Sequence, residues 1–143
     1  MRRVAVISLV FVLSFVLNSF ADSKSTVPDL SGSNWKFLGE NNVNISSKTN
    51  DGQTVGLETT AKYYENDADK LHASVLMWNN NEVAMLYGDN DVHLAIKTDG
   101  KWYEAKKNKT LESVVVYGKD GKPTGVKLSL DTTEGYKEVV LAF

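Results

Sequence analysis

From Asn34 onward, apolar and polar residues alternate one by one along the chain, and clusters of Asn, Asp and Gly break the alternation at short intervals. Successive side chains of an extended strand point to opposite faces, so each stretch reads as a strand with one buried side, and no window carries a helical stripe. Val92, Leu94 and Ile96 share one face, with His93, Ala95 and Lys97 on the other. Val126, Leu128 and Leu130 oppose Lys127, Ser129 and Asp131, and Val139, Leu141 and Phe143 oppose Glu138 and Val140. Asp51-Gly52, Asn79-Asn80-Asn81, Asp99-Gly100 and Asp120-Gly121 supply residues that accept the left-handed backbone of tight hairpins. Weaker breaks lie at Asn66-Asp67, Gly88 to Asp91, Lys107-Asn108 and Glu134-Gly135. This spacing predicts roughly nine or ten short antiparallel strands. The fold class is all-β, an up-and-down barrel or, alternatively, a β-sandwich.

The start of the chain has a different character. Arg2 and Arg3 precede an apolar run from Val4 to Leu17, and Ser19-Phe20-Ala21 places small residues where signal peptidase reads them. The run is shorter than the ~20 residues that span a bilayer. Residues 1–21 are therefore expected to be a cleaved signal peptide, with Asp22 as the first residue of a secreted, extracellular protein. Residues 22–33 are polar, contain Pro28 and lack a period, which predicts a flexible leader, and residues 34–143 make one domain.

The chain has no cysteine, which excludes a thiol nucleophile, a disulfide, a zinc knuckle and a lipid-bearing cysteine. Without Arg2 and Arg3, 14 basic side chains face 18 acidic ones, a formal charge of −4. That balance argues against nucleic acid and against a membrane surface as partners, because both are bound by clustered Lys and Arg. The cluster of Lys106, Lys107 and Lys109 reads as a solvated turn.

Nothing in the spacing names a reaction. His72 and His93 fall on separate strands with no metal-binding or nucleophile-activating pattern. Glu58, Glu65, Asp67 and Asp69 leave a carboxylate-pair hydrolase open, although no two of them are singled out. Glu65 to Asp69 and Gly88 to Asp91 have some of the oxygen ligands of a calcium loop, without its length or closing glutamate. The expectation is a non-enzymatic protein with no catalytic residue, no metal and no cofactor. Asn44-Ile45-Ser46 and Asn108-Lys109-Thr110 are sequons, so Asn44 and Asn108 are candidate glycan sites of an exported glycoprotein.

Between Leu71 and Tyr87 the chain is apolar on both faces of a hairpin, and a hairpin of that kind needs a cover on its second side. A second layer, a second copy of the chain pairing through the 71–87 hairpin to form a homo-oligomer, or a ligand-filled lumen would each serve. Among the aromatic residues, Trp102 and Tyr103 are adjacent and must face opposite ways. The candidate ligand-binding residues are Met77, Trp78, Met85, Tyr87 and Trp102, which would hold a small apolar or amphipathic molecule. The alternative is a carbohydrate- or protein-recognition module that binds a glycan or protein on its outer surface.

Leu30-Ser31-Gly32-Ser33-Asn34-Trp35, Leu38-Gly39, Ile45, Asp51-Gly52 and Gly56 together resemble the first hairpin of calycin barrels, the group of lipocalins, fatty-acid-binding proteins and avidins. Trp78-Asn79-Asn80 is similar to a later avidin tryptophan with its neighbouring asparagine. The resemblance covers about thirty residues, with one extra residue between Gly32 and Trp35. It implies a lipocalin-like up-and-down barrel whose mouth holds a small apolar molecule. It does not extend to biotin, since Lys36, Phe37, Glu40 and Glu58 stand where small or hydroxyl side chains would be wanted.

Overall fold

The computed structural model describes residues 4–6, as backbone, and residues 27–143, and among these it contains strands and turns but no helix. The strands are β1 (Val4–Val6), β2 (Lys36–Lys48), β3 (Thr54–Asn66), β4 (Leu71–Trp78), β5 (Asn81–Gly88), β6 (Val92–Thr98), β7 (Lys101–Glu104), β8 (Glu112–Tyr117), β9 (Pro123–Thr132) and β10 (Gly135–Ala142). They form two antiparallel sheets, a larger one of order β2-β3-β4-β5-β6-β7 and a smaller one of order β1-β8-β9-β10.

The turns arise where the sequence places residues that tolerate positive φ. Asn79 and Asn80, at φ 48° and 63°, make the two-residue link from β4 to β5, and Asp99 and Gly100, at 55° and 75°, link β6 to β7. Positive φ at both central positions gives a turn whose twist matches that of the strands it joins. β2 and β3 are 13 residues each, longer than the short strands expected. The run from Lys36 to Asn42, where Phe37 and Leu38 are adjacent, has no alternation to reveal it, yet it pairs with Thr60 to Glu65, with Leu38 as an extra residue at a bulge.

The core lies between the sheets. Ile45, Leu57, Leu76, Ala84, Leu94 and Ile96 of the larger sheet meet Val126, Leu128, Leu130 and Leu141 of the smaller one. Each such side chain, taken fully out of water, contributes about 1.5–3 kcal/mol. The core-facing sides expected over 92–97, 126–131 and 138–141 are the ones observed, but Ala95 and Ser129, expected on the polar side, are buried as well. Leu141 is buried, but Phe143 is 56% exposed, so it does not join the core as its parity suggested. β10 ends at Ala142, and the Phe143 N–H donates to the Thr124 carbonyl at 3.0 Å.

The expected up-and-down barrel is not closed. At one corner the layers are stitched by a bridge between Ala105 and Thr132 and by the Lys106 N–H donating to the Asp131 carbonyl at 2.9 Å. At the opposite corner the Ser47 hydroxyl donates to the Ser113 carbonyl at 3.3 Å, and the Asn50 N–H donates to the Tyr117 hydroxyl at 2.8 Å. Neither corner becomes a paired ladder: β7 stops after four residues, and the free side of β8 pairs with β1 rather than with β2. Among the described residues, packed side chains occupy the space between the two sheets. The expected signal peptide and its cleavage after Ala21 lie outside the described residues, apart from Val4–Val6, whose backbone pairs with Glu112, Ser113 and Val114.

Candidate functional site

The side of the larger sheet that faces away from the core is the unusual surface of this protein. Cross-strand pairing arranges its side chains in rows. Val75, Met85, Ala95 and Glu104 stand in one row across β4 to β7; Lys97 and Trp102 face each other in a second; Ala73, Tyr87 and His93 form a third. The outer face of a two-layer protein ordinarily meets water and is polar. Here Ala73, Val75, Met85, Tyr87 and Ala95 are at most 4% exposed.

The cover is the segment expected to be a leader. Val27, Leu30 and Trp35 pack onto this face, together with Tyr64, Met77 and Trp102. Two successive turns shape the segment, with the Gly32 N–H donating to the Asp29 carbonyl and the Trp35 N–H to the Gly32 carbonyl, each at 3.2 Å. The Asp29 carboxylate accepts the Ser31 hydroxyl at 2.6 Å and the Ser31 N–H at 3.0 Å. These bonds, the hydroxyl first, favour the ionised form and hold the Asp29 carboxyl below its ordinary value.

The cover is incomplete. Between it and the sheet lies an open cleft of about 740 Å³, with Val27, Pro28 and Leu30 on one wall, Met85 and Trp102 on the floor, and Glu82, Lys97, Glu104 and Glu134 around them. Lys97 is ion-paired with Glu82 at 2.9 Å, and its ammonium lies 5.5 Å from the centre of the Trp102 ring. Glu134 is paired with Lys101 at 3.2 Å. Glu104 is half-buried and has no ion-pair partner among the described residues.

The five candidate ligand-binding residues divide between two places. Met77, Met85, Tyr87 and Trp102 belong to the outer-face cluster, whereas Trp78 packs into the core between the sheets. Trp78 is the immediate neighbour of Met77 in β4 and so must face the other way. It lines separate depressions, one beside Asn79 and Asn80 and one beside Val83 and Val139. Trp102 and Tyr103 divide as expected, with Tyr103 on the core side and its ring 4.4 Å from the Lys137 ammonium. Val27, Leu30, Glu82, Lys97 and Glu104 were not among the candidate ligand-binding residues, although Glu104 stands two residues from Trp102 and therefore on the same face.

The other candidates take simpler roles. His93 stacks against Tyr87 with ring centres 5.6 Å apart. His72 lines a depression of about 410 Å³ with Tyr63 and Tyr64. Burial, then the negative charges of Glu82 and Glu40, push the Tyr64 hydroxyl above its ordinary value. Glu58 is seven residues from Glu65 within β3, about 23 Å along a strand, so those two carboxylates do not converge. Asp69 accepts from the Asn66 amide at 3.2 Å, and Asp89 accepts the backbone N–H of Asn90 at 2.6 Å, as in ordinary polar turns. Among the described residues, no three His, Asp or Glu side chains are grouped to hold a metal ion. Asn44 is exposed on the edge strand β2, and Asn108 is exposed in the β7–β8 connection at φ 65°, so both sequons are open to solvent.

Comparison with protein-family models, with curated proteins and with solved structures finds no match to this chain.

Proposed function

We propose that this is a secreted, non-enzymatic binding protein that takes a small amphipathic molecule in the cleft between Val27–Ser31 and the outer face of the larger sheet. The observation that carries the reading is the apolar outer face packed under Val27, Leu30 and Trp35, with a cleft of about 740 Å³ left open beside that segment. A pocket of this size with an apolar floor and a few polar groups suits a small ligand. Of the residues expected to line a barrel lumen, Met85 and Trp102 border this cleft, whereas Met77 and Tyr87 lie elsewhere on the same face and Trp78 on the other side of the sheet. Export rests on the basic, apolar and small-residue sequence of residues 1–21. Both faces of the 71–87 hairpin carry packed side chains of this chain.

The test is native mass spectrometry of protein recovered from the cells that secrete it. A retained mass of a few hundred daltons that leaves on denaturation, and is absent from a Trp102→Ala variant, is the expected result. A bare chain that also fails to take up lipophilic molecules would overturn the reading.

A second reading, a glycan- or protein-recognition surface, has its own observation. Phe37 and Leu38 are about half exposed at the start of edge strand β2, beside the depression lined by Tyr63 and Tyr64. Binding on a glycan array that is lost in Phe37→Ala would favour it.

A further inference from the structure

We infer that the molecule held in the cleft is an organic cation with an apolar body, its positive group beside Glu104 and Trp102 and its chain along Met85 beneath Val27 and Leu30. The inference rests on the cleft proposed above as the binding site and adds the class of its ligand.

Charge decides the class. Among the described residues, Asp29, Glu82, Glu104 and Glu134 border the cleft against a single lysine, Lys97. Lys97 neutralises Glu82, and Lys101 neutralises Glu134. Glu104 and the exposed Asp29 have no ion-pair partner among the described residues, and of the two Glu104 is half-buried, at the end of a row whose next members are Ala95 and Met85. Ala95 is fully buried and is not part of the cleft lining, which Glu104 shares with Trp102, Thr133 and Glu134. Trp102 lies two residues away on the same face of β7, about 7 Å along the strand, which is the separation a bulky ammonium head would bridge. The protein already uses this ring for a positive charge, since the Lys97 ammonium is 5.5 Å from its centre. An anionic or neutral head would leave Glu104 uncompensated in a half-buried setting and would meet its charge across the cleft.

The experiment is titration calorimetry of the secreted protein with decyltrimethylammonium, decyl maltoside and decyl sulfate, each below its critical micelle concentration. The expected order of affinity is cation, neutral, anion, with cation binding weakening as salt is raised. Glu104→Gln should weaken decyltrimethylammonium binding about fivefold and leave decyl maltoside unchanged. Lys97→Met removes the competing ammonium and should tighten cation binding, a gain that misfolding would not mimic. If the three amphiphiles bind alike, or decyl sulfate binds tightest, the cationic class is overturned while the cleft remains a binding site. If none of them binds, the ligand class and the site fall together.

Discussion

Met77 and Trp78 are consecutive residues of β4 that lie on opposite sides of the larger sheet, Met77 with the cluster under Val27 and Leu30, Trp78 with the core between the layers. The two aromatic and sulfur-bearing side chains therefore report on different things. Trp78→Ala should lower stability by about 2 kcal/mol through lost packing, measured by chemical denaturation, and should leave affinity at the cleft within twofold. A loss of binding without a loss of stability would place Trp78 in the site and contradict the division of faces.

Leu30 tests the leader as part of the fold. It is half-buried against the outer face, so Leu30→Ala should cost about 1 kcal/mol and release the segment that carries it. Hydrogen exchange of the amides of Gly32 and Trp35, both bonded within the segment, should accelerate while the core strands stay protected. Unchanged exchange at these amides would mean that the turns hold without the sheet.

The same segment should respond to acid. The Ser31 hydroxyl and N–H hold the folded Asp29 carboxyl below its ordinary value of 3.8. A lowered folded value means that the stabilisation is complete above about pH 4 and is lost as pH falls through the folded value. Protection of the Ser31 and Gly32 amides should therefore fall between pH 4 and pH 2 in the native protein. In Asp29→Ala that step should be missing. An identical acid profile in the two proteins would show that the carboxylate does not hold the turn.

Gly88 and Gly100 both have positive φ but differ in their surroundings. A Cβ on Gly88, at φ 144°, would lie 1.9 Å from the Asp91 carbonyl oxygen, whereas one on Gly100, at φ 75°, would meet nothing within 4 Å. Gly88→Ala should cost about 3 kcal/mol, because the turn must be rebuilt, and Gly100→Ala only about 1 kcal/mol of backbone strain. Thermal unfolding of the two variants orders them directly, and equal midpoints would refute the close approach.

The strands and turns were legible because their chemistry is local. Asn79-Asn80 and Asp99-Gly100 announce their turns by residue type, and Leu94, Ile96, Leu128 and Leu141 announce their face by parity. How the sheets close was not legible, since the same alternation serves a barrel and two stacked layers; the difference lies in the few bonds at Ala105 and at Ser47. The lower part of β2 was hidden because polar residues on an exposed edge strand need no alternation. Of the candidate cleft, Met85 and Trp102 were legible as excess apolar surface, and Met77 and Tyr87 were legible in the same way as members of the outer-face cluster. Val27 and Leu30 were missed because a cover without regular structure has no period, and Glu104 because an isolated carboxylate shows its worth only once its neighbours are known.

Each strand of the larger sheet pairs with the next one in the chain, and β8, β9 and β10 do the same. Their turns therefore join partners across short loops, and closing a short loop carries a small entropic cost. Long-range contacts belong to the union of the layers, as between Ser47 and Ser113, 66 residues apart. Refolding should accordingly proceed by quick zippering of two meanders followed by a slower docking step, and the barrier to folding resides in that meeting rather than in the strands themselves.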